Sequence, residues 1–76
     1  MLSNSLYNAV QTEVRRKVVT HLIMKYNQLW LQYMNDNDMT EAHYKAKRDV
    51  LAEMIKSYKC YDGVKDLVET FEENNP

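Results

Sequence analysis

Two histidines, one cysteine and a few paired acids are the side chains of this sequence best suited to chemistry. His21 and His43 are its only imidazoles. They form no two-His, His–Cys or Cys-x-x-Cys spacing of the kind that holds zinc. A helical hairpin turning near residue 37 sets His21 beside residue 54 and His43 beside residue 32, so the two do not meet within one chain. Cys60 has no histidine near it in sequence to draw off its proton, which makes it a poor nucleophile; it reads as a small, semi-buried residue near a helix end. Glu72 and Glu73 sit close to the chain end, where general acid–base geometry is hard to hold. With a single glycine there is no phosphate-cradling loop. These residues point away from an enzyme and imply no metal and no cofactor.

The charges are more informative. Lys45, Arg48, Lys56 and Lys59, with Ala52 between them, follow a 3-4-4-3 spacing that places them within roughly 80° of one another on a helix. Such a stripe can track a phosphate backbone or meet an acidic protein surface. Glu41 lies in line with it, and Asp49 and Glu53 flank it, so a solvated face is the plainer expectation. Arg15, Arg16 and Lys17 are consecutive and therefore point three ways around a helix. Arg15 and Lys47 fall inside apolar arcs, where a cation is costly unless paired or stacked. Arg15 should lie level with Tyr58, Cys60 and Tyr61, so stacking on a tyrosine ring is its simplest accommodation. The sharper reading is that Arg15 or Lys47 meets an anion across an interface.

Net charge is −1 and the isoelectric point is near 6.1, whereas nucleic-acid-binding domains commonly lie above about 9. The balance shifts along the chain. Residues 40–59 are predominantly basic, and residues 60–76 are predominantly acidic, so the two stretches can pair internally, between subunits or with a partner. The Asn, Lys and Tyr content fits an AT-rich genome such as that of many phages.

The elements that carry these residues are helices. At 76 residues with one Gly, one Pro and one Cys, the chain is a single domain (1–76) without an internal disulfide. It is short enough to be marginal alone. No leader pattern is present, and the longest charge-free stretch, Tyr26 to Asn35, is too short and polar to span a bilayer. A cytoplasmic protein that does not contact membranes is expected. The first helix should run over about 5–34, capped by Ser3, Asn4 or Ser5. "NDND" supplies a turn. Thr40, or an Asp38–Glu41 capping box, starts a second helix over about 41–61. "YDG" ends it, with Gly63 in a left-handed cap or Asp62 capping a short third helix over about 64–72. "NNP" should fray.

Helical phase then assigns the faces. Val14, Val18, Leu22, Tyr26, Leu29 and Tyr33 form the ordinary stripe of the first helix. Ile23, Trp30 and Met34 widen it, and Met24 and Leu31 lie further round. The second helix presents Tyr44, Val50, Leu51, Met54, Ile55 and Tyr58; the third presents Val64, Leu67, Val68 and Phe71. A hairpin covers one stripe only, so the surplus around Ile23, Met24, Trp30, Leu31 and Met34 needs another cover. The third helix can supply part of it, although it starts level with the basic end of the first. The tyrosines mostly fall on these stripes, which makes them core residues with a hydroxyl at the edge.

The expectation is an all-α fold, a long antiparallel helical hairpin plus a short C-terminal helix, assembling into a homo-oligomeric bundle. The expected function is non-catalytic. A small binding protein would regulate or inhibit a macromolecular partner, using the Trp30 surplus for self-assembly or docking and the basic stripe (Lys45, Arg48, Lys56 and Lys59, with Arg15 and Lys47) against an acidic surface. The alternatives are a nucleic-acid or nucleotide binder using the Lys45, Arg48, Lys56 and Lys59 stripe with Arg15, Arg16 and Lys17, and a purely structural oligomer subunit. A DNA-reading helix-turn-helix is not evident, since its short turn is missing and the first helix is too long.

Overall fold

Thirty-two consecutive residues without Gly or Pro form the first helix, α1, over Asn4–Asn35. The computed structural model describes residues 4–36 and 38–75. Ser3 as a cap, Asn37 of the turn and Pro76 of the chain end lie outside the described residues. Among the described residues the fold is all-α with no strand. The turn after α1 is built by aspartate: the Asp38 N–H donates to Asp36 Oδ1 at 2.9 Å, an Asx turn that competes with further helix. Helix α2 covers Glu41–Ser57, and Thr40 caps it by accepting from the His43 N–H at 3.1 Å. Of the two caps open from sequence, the Thr40 one forms.

The second helix stops at Ser57, earlier than residue 61. Two 3-10 turns follow, Tyr58–Cys60 and Asp62–Val64, with Tyr61 extended between them. They reverse the chain into α3, Lys65–Asn74. Gly63 does not take a left-handed conformation, since no described glycine has positive φ. Its reason is space. A Cβ there would run into the Thr12 side chain of α1, with Thr12 Oγ1 at 3.1 Å, so only glycine lets this turn sit against α1. Asp62 opens the second 3-10 turn, and α3 has no side-chain cap.

Contacts between α1 and α2 run in opposite chain directions. Tyr33 stacks on Tyr44 at 4.7 Å between ring centres, and at the far end Arg15 lies over Tyr61. The returning α3 starts beside Arg16 and reaches Tyr26 through Phe71, whose ring meets it edge-on at 4.9 Å. The core lies where the three elements meet: Val19, Leu22, Ile55, Val64, Val68 and Phe71 are buried, with Ile23, Tyr26, Leu51, Ala52, Tyr58 and Leu67 packed around them. Leu29 is buried further along α1.

The buried stripe of α1 is rotated from the expected one. Val19 is fully buried while Val18 is 38% exposed and Val14 50%. The cause is α3, which packs on one flank of α1 and draws Val19 and Ile23 inward; among the described residues nothing covers the opposite flank. The same holds on α2, where Ile55 is buried but Val50 and Met54 are exposed.

The shape follows from having one short helix on a long pair. The molecule is a slab of 52 × 24 × 15 Å with a radius of gyration of 15.2 Å, against about 11 Å for a compact domain of this length. It exposes 5815 Å², about 900 Å² more than a folded monomer of this size ordinarily leaves in water.

Candidate functional site

The described fold leaves two apolar surfaces open. The first is at the turn end of the α1–α2 pair. Ile23 and Trp30 are seven residues apart, as are Asn27 and Met34, so each pair shares a face of α1. The lower members border α3: Ile23, half-buried, and Asn27, still exposed, line a groove of about 290 Å³ together with Leu67, Phe71 and Asn75. The upper members lie beyond the end of α3. Trp30 is 51% exposed, and Leu31 and Met34 are as exposed or more so. Trp30 is nonetheless ordered by neighbours, with its ring 5.9 Å from that of Tyr44 and 6.1 Å from that of Tyr33. Arg48 approaches the same Tyr44 ring, its Cζ 5.7 Å from the centre. Tyr44 thus meets two rings of α1, stacked on Tyr33 and edge-on to Trp30, with Arg48 of its own helix near the same ring.

Of the five residues expected at an interface, Trp30 and Met34 share this face, while Leu31, also exposed, lines a separate depression beside Lys47. Met24 is exposed and lines the α1–α3 groove. Ile23 belongs instead with the core, half-buried against it, because α3 covers that turn of α1.

The second surface is the flank of the α1–α2 pair facing away from α3. On α1, Arg16, Ile23 and Asn27 point toward α3, while Arg15 and Tyr33 point toward α2. Val14 and Val18 fall on the remaining side. On α2, Ala52 packs toward the core and Val50 and Met54 lie on the opposite flank, bordering a shallow apolar dip lined by Ala46, Lys47, Val50 and Leu51. These valines and Met54 were read as core stripes; in the chain as folded they are a surface.

The basic set is largely engaged. Lys45 Nζ is 3.0 Å from Glu41 and Lys59 Nζ is 3.0 Å from Glu72. Arg48 pairs with Asp49 at 3.6 Å as well as facing Tyr44. Lys56 has no ion pair among the described residues. Arg15 is accommodated over Tyr61, with Cζ 4.1 Å from the ring centre. Lys47 turns toward Leu31, Gln28 and Asn35, beside which it lines a wide, open depression. The stripe is therefore a row of pairs with one free lysine, not a bare cationic track.

Arg16 carries a role that its sequence position did not single out. Its guanidinium donates to the Gly63 carbonyl at 2.8 Å and to Asp66 at 2.9 Å, clamping the start of α3 to α1. The hydrogen bond from Arg16 holds the Asp66 carboxyl below its ordinary value of 3.8; partial desolvation opposes this and the Arg16 charge adds to it. The signal available in sequence was the acidic C-terminal stretch falling level with the basic residues of the first helix.

His21 and His43 are exposed, and Cys60 is exposed rather than semi-buried, its Sγ 3.4 Å from the Ser57 carbonyl. Ending α2 early puts Cys60 on a turn at the surface. Among the described residues no group of three or more His, Cys, Asp or Glu side chains is placed to hold a metal ion, and no helix is long and apolar enough to cross a membrane. Compared with protein-family models, with curated proteins and with solved structures, the chain gave no match.

Proposed function

We propose that the chain is a small non-catalytic binding protein that regulates or inhibits a macromolecular partner and works as a homo-oligomer, most simply a dimer. The observation that carries the docking half is the exposed Trp30, Leu31 and Met34 at the end that α3 does not reach. Tryptophan, tyrosine and arginine side by side, already ordered and half in water, are the usual make-up of an interface hot spot. The single, exposed Cys60 fits a reducing compartment such as the cytoplasm.

The oligomer half rests on area. The excess surface of about 900 Å² is close to the ~800 Å² that each partner of a standard interface gives up. In this reading the helical hairpins of two copies meet through Val14, Val18, Val50 and Met54, giving a four-helix layer about a two-fold axis. Both α3 helices then face outward and both Trp30 ends stay open.

The net charge of −1 favours this over a nucleic-acid or nucleotide reading, since domains that bind by counterion release are commonly strongly basic. A purely structural subunit would account for the valine face and not for the Trp30 end.

A library of helical peptides displayed on phage, selected in parallel on the wild type and on Trp30→Ala, tests the docking half. Enrichment of sequences that bind the wild type and lose Trp30→Ala, while that variant keeps its helix content, is the expected result. Unfolding of Trp30→Ala would return the residue to the core and sink the proposal.

A further inference from the structure

The groove between α1 and α2 is half filled by a piece of the chain itself, and that piece displays the chemistry of what belongs in the other half. Helix α3 is amphipathic and acidic. Val68 and Phe71, preceded by Val64, are buried in the groove, while Asp66, Glu69 and Glu73 are exposed and Glu72 is half-buried at the groove's edge, against one lysine, Lys65. A cation from each wall fastens it: Arg16 of α1 on Asp66 at 2.9 Å, and Lys59, from the turn after α2, on Glu72 at 3.0 Å.

Beyond Asn75, which lines the groove beside Asn27, the same two helix faces continue, and among the described residues Trp30 and Met34 stay exposed there. Trp30 and Met34 extend the apolar floor along the face that Ile23 and Asn27 begin. Arg48 and Lys45 lie four and seven residues before Ala52, so they extend the α2 wall on the side that packs toward α3. From Asn27 to Asn35 this open half is about 12 Å long, room for two helical turns.

Resting on the docking reading above, we infer that the open half receives an acidic amphipathic helix of a partner protein, seated end to end with α3. The occupant sets apolar side chains over Trp30, Met34 and Tyr44, and its carboxylates meet Arg48 and Lys45 in place of Asp49 and Glu41. Those two pairs are exposed and cheap to exchange. Binding of this kind lays a helix into a groove and reads it by its apolar spacing. The acidic face supplies orientation and speed of encounter. The chain's own acidic helix is already seated, so the occupant is not another α3 of this protein.

Trp30 is the only tryptophan, so its emission reports this half of the groove alone. The test uses three synthetic 14-residue peptides that share the Val64, Leu67, Val68 and Phe71 spacing of α3 and carry acidic, neutral or basic outer faces. Each is titrated into the full chain at low and high salt. The expected result is a saturable blue shift with the acidic peptide, about tenfold tighter than with the basic one at low salt, and weakened alike by salt and by Arg48→Glu or Lys45→Glu. Circular dichroism checks that each variant keeps its helices; two variants on different turns guard against one that does not. Tighter binding of the neutral or basic peptide would overturn the acidic class and leave the docking reading standing. No shift with any peptide would overturn both. A larger shift with a single-stranded oligonucleotide, or a shift produced by raising protein concentration alone, would overturn the inference in favour of nucleic acid or of a second copy.

Discussion

Arg16 of α1 and Asp66 of α3 meet at 2.9 Å across fifty residues of chain, and the same guanidinium holds the Gly63 carbonyl. This contact fixes where α3 starts, and hence where it stops. Because α3 is only ten residues long, fixing its start at Arg16 leaves Trp30 beyond its reach. A stabilising contact at one end of the slab thus determines which surface is open at the other.

Asp66 should make stability pH-dependent in acid. Its folded pKa is lowered, mainly by the hydrogen bond from Arg16. Its contribution is therefore complete above the ordinary aspartate range and is lost as pH falls below about 4 through the folded value. Urea midpoints of the wild type and Asp66→Asn should differ at pH 7 and converge toward pH 2. A constant gap across that range would remove Asp66 as the titrating partner.

Substitutions should separate core from surface. Ile55→Ala, at a fully buried site, should cost about 2–5 kcal/mol of unfolding free energy. Trp30→Ala should cost below about 1 kcal/mol, as for surface residues that make few buried contacts. Denaturant titration of both variants ranks them, and a Trp30 loss as large as that of Ile55 would place Trp30 inside the fold.

The Gly63 turn and Thr12 should be coupled. Gly63→Ala drives a methyl into a β-branched side chain that has little freedom on a helix, at a cost of about 1–3 kcal/mol. Thr12→Ala removes the two nearest obstructing atoms, Cγ2 and Oγ1, and leaves only Cβ at 3.2 Å, so the double variant should recover most of that loss. A double-mutant cycle with no coupling would mean that the turn avoids Thr12.

Self-association should run through the valine flank. Light scattering should give twice the monomer mass for the wild type and for Trp30→Ala, and the monomer mass for Val50→Glu combined with Met54→Glu. A dimer that survives the glutamates, or one that Trp30→Ala dissolves, would move the interface to the other end.

Much of this was legible in the sequence, for identifiable reasons. Long helices follow from the scarcity of Gly and Pro, the Thr40 cap from its offset to the apolar run, and the α3 stripe from clean i, i+3, i+4, i+7 spacing. The surplus at Trp30, Leu31 and Met34 follows from counting how much of a circumference one neighbour can hide. What escaped was set by the third helix. Its docking flank decides whether Val18 or Val19 is buried, and a one-residue choice of phase has no local signal when both are valine. Gly63 was misread because a cap and a close approach both call for glycine, and only the position of Thr12 tells them apart. The basic stripe was visible as spacing. Its partners Glu41 and Asp49 are local, whereas Glu72 became a partner of Lys59 only through the chain reversal.

The central claim is that the Trp30 end stays open for a foreign partner while the chain self-associates elsewhere. Acrylamide quenching of Trp30 emission, read across a dilution series spanning dimer and monomer, tests it most directly. Steep quenching that does not change with concentration is the expected result. Quenching that is weak in the dimer and rises on dilution would contradict the claim, because it would put the second copy on Trp30.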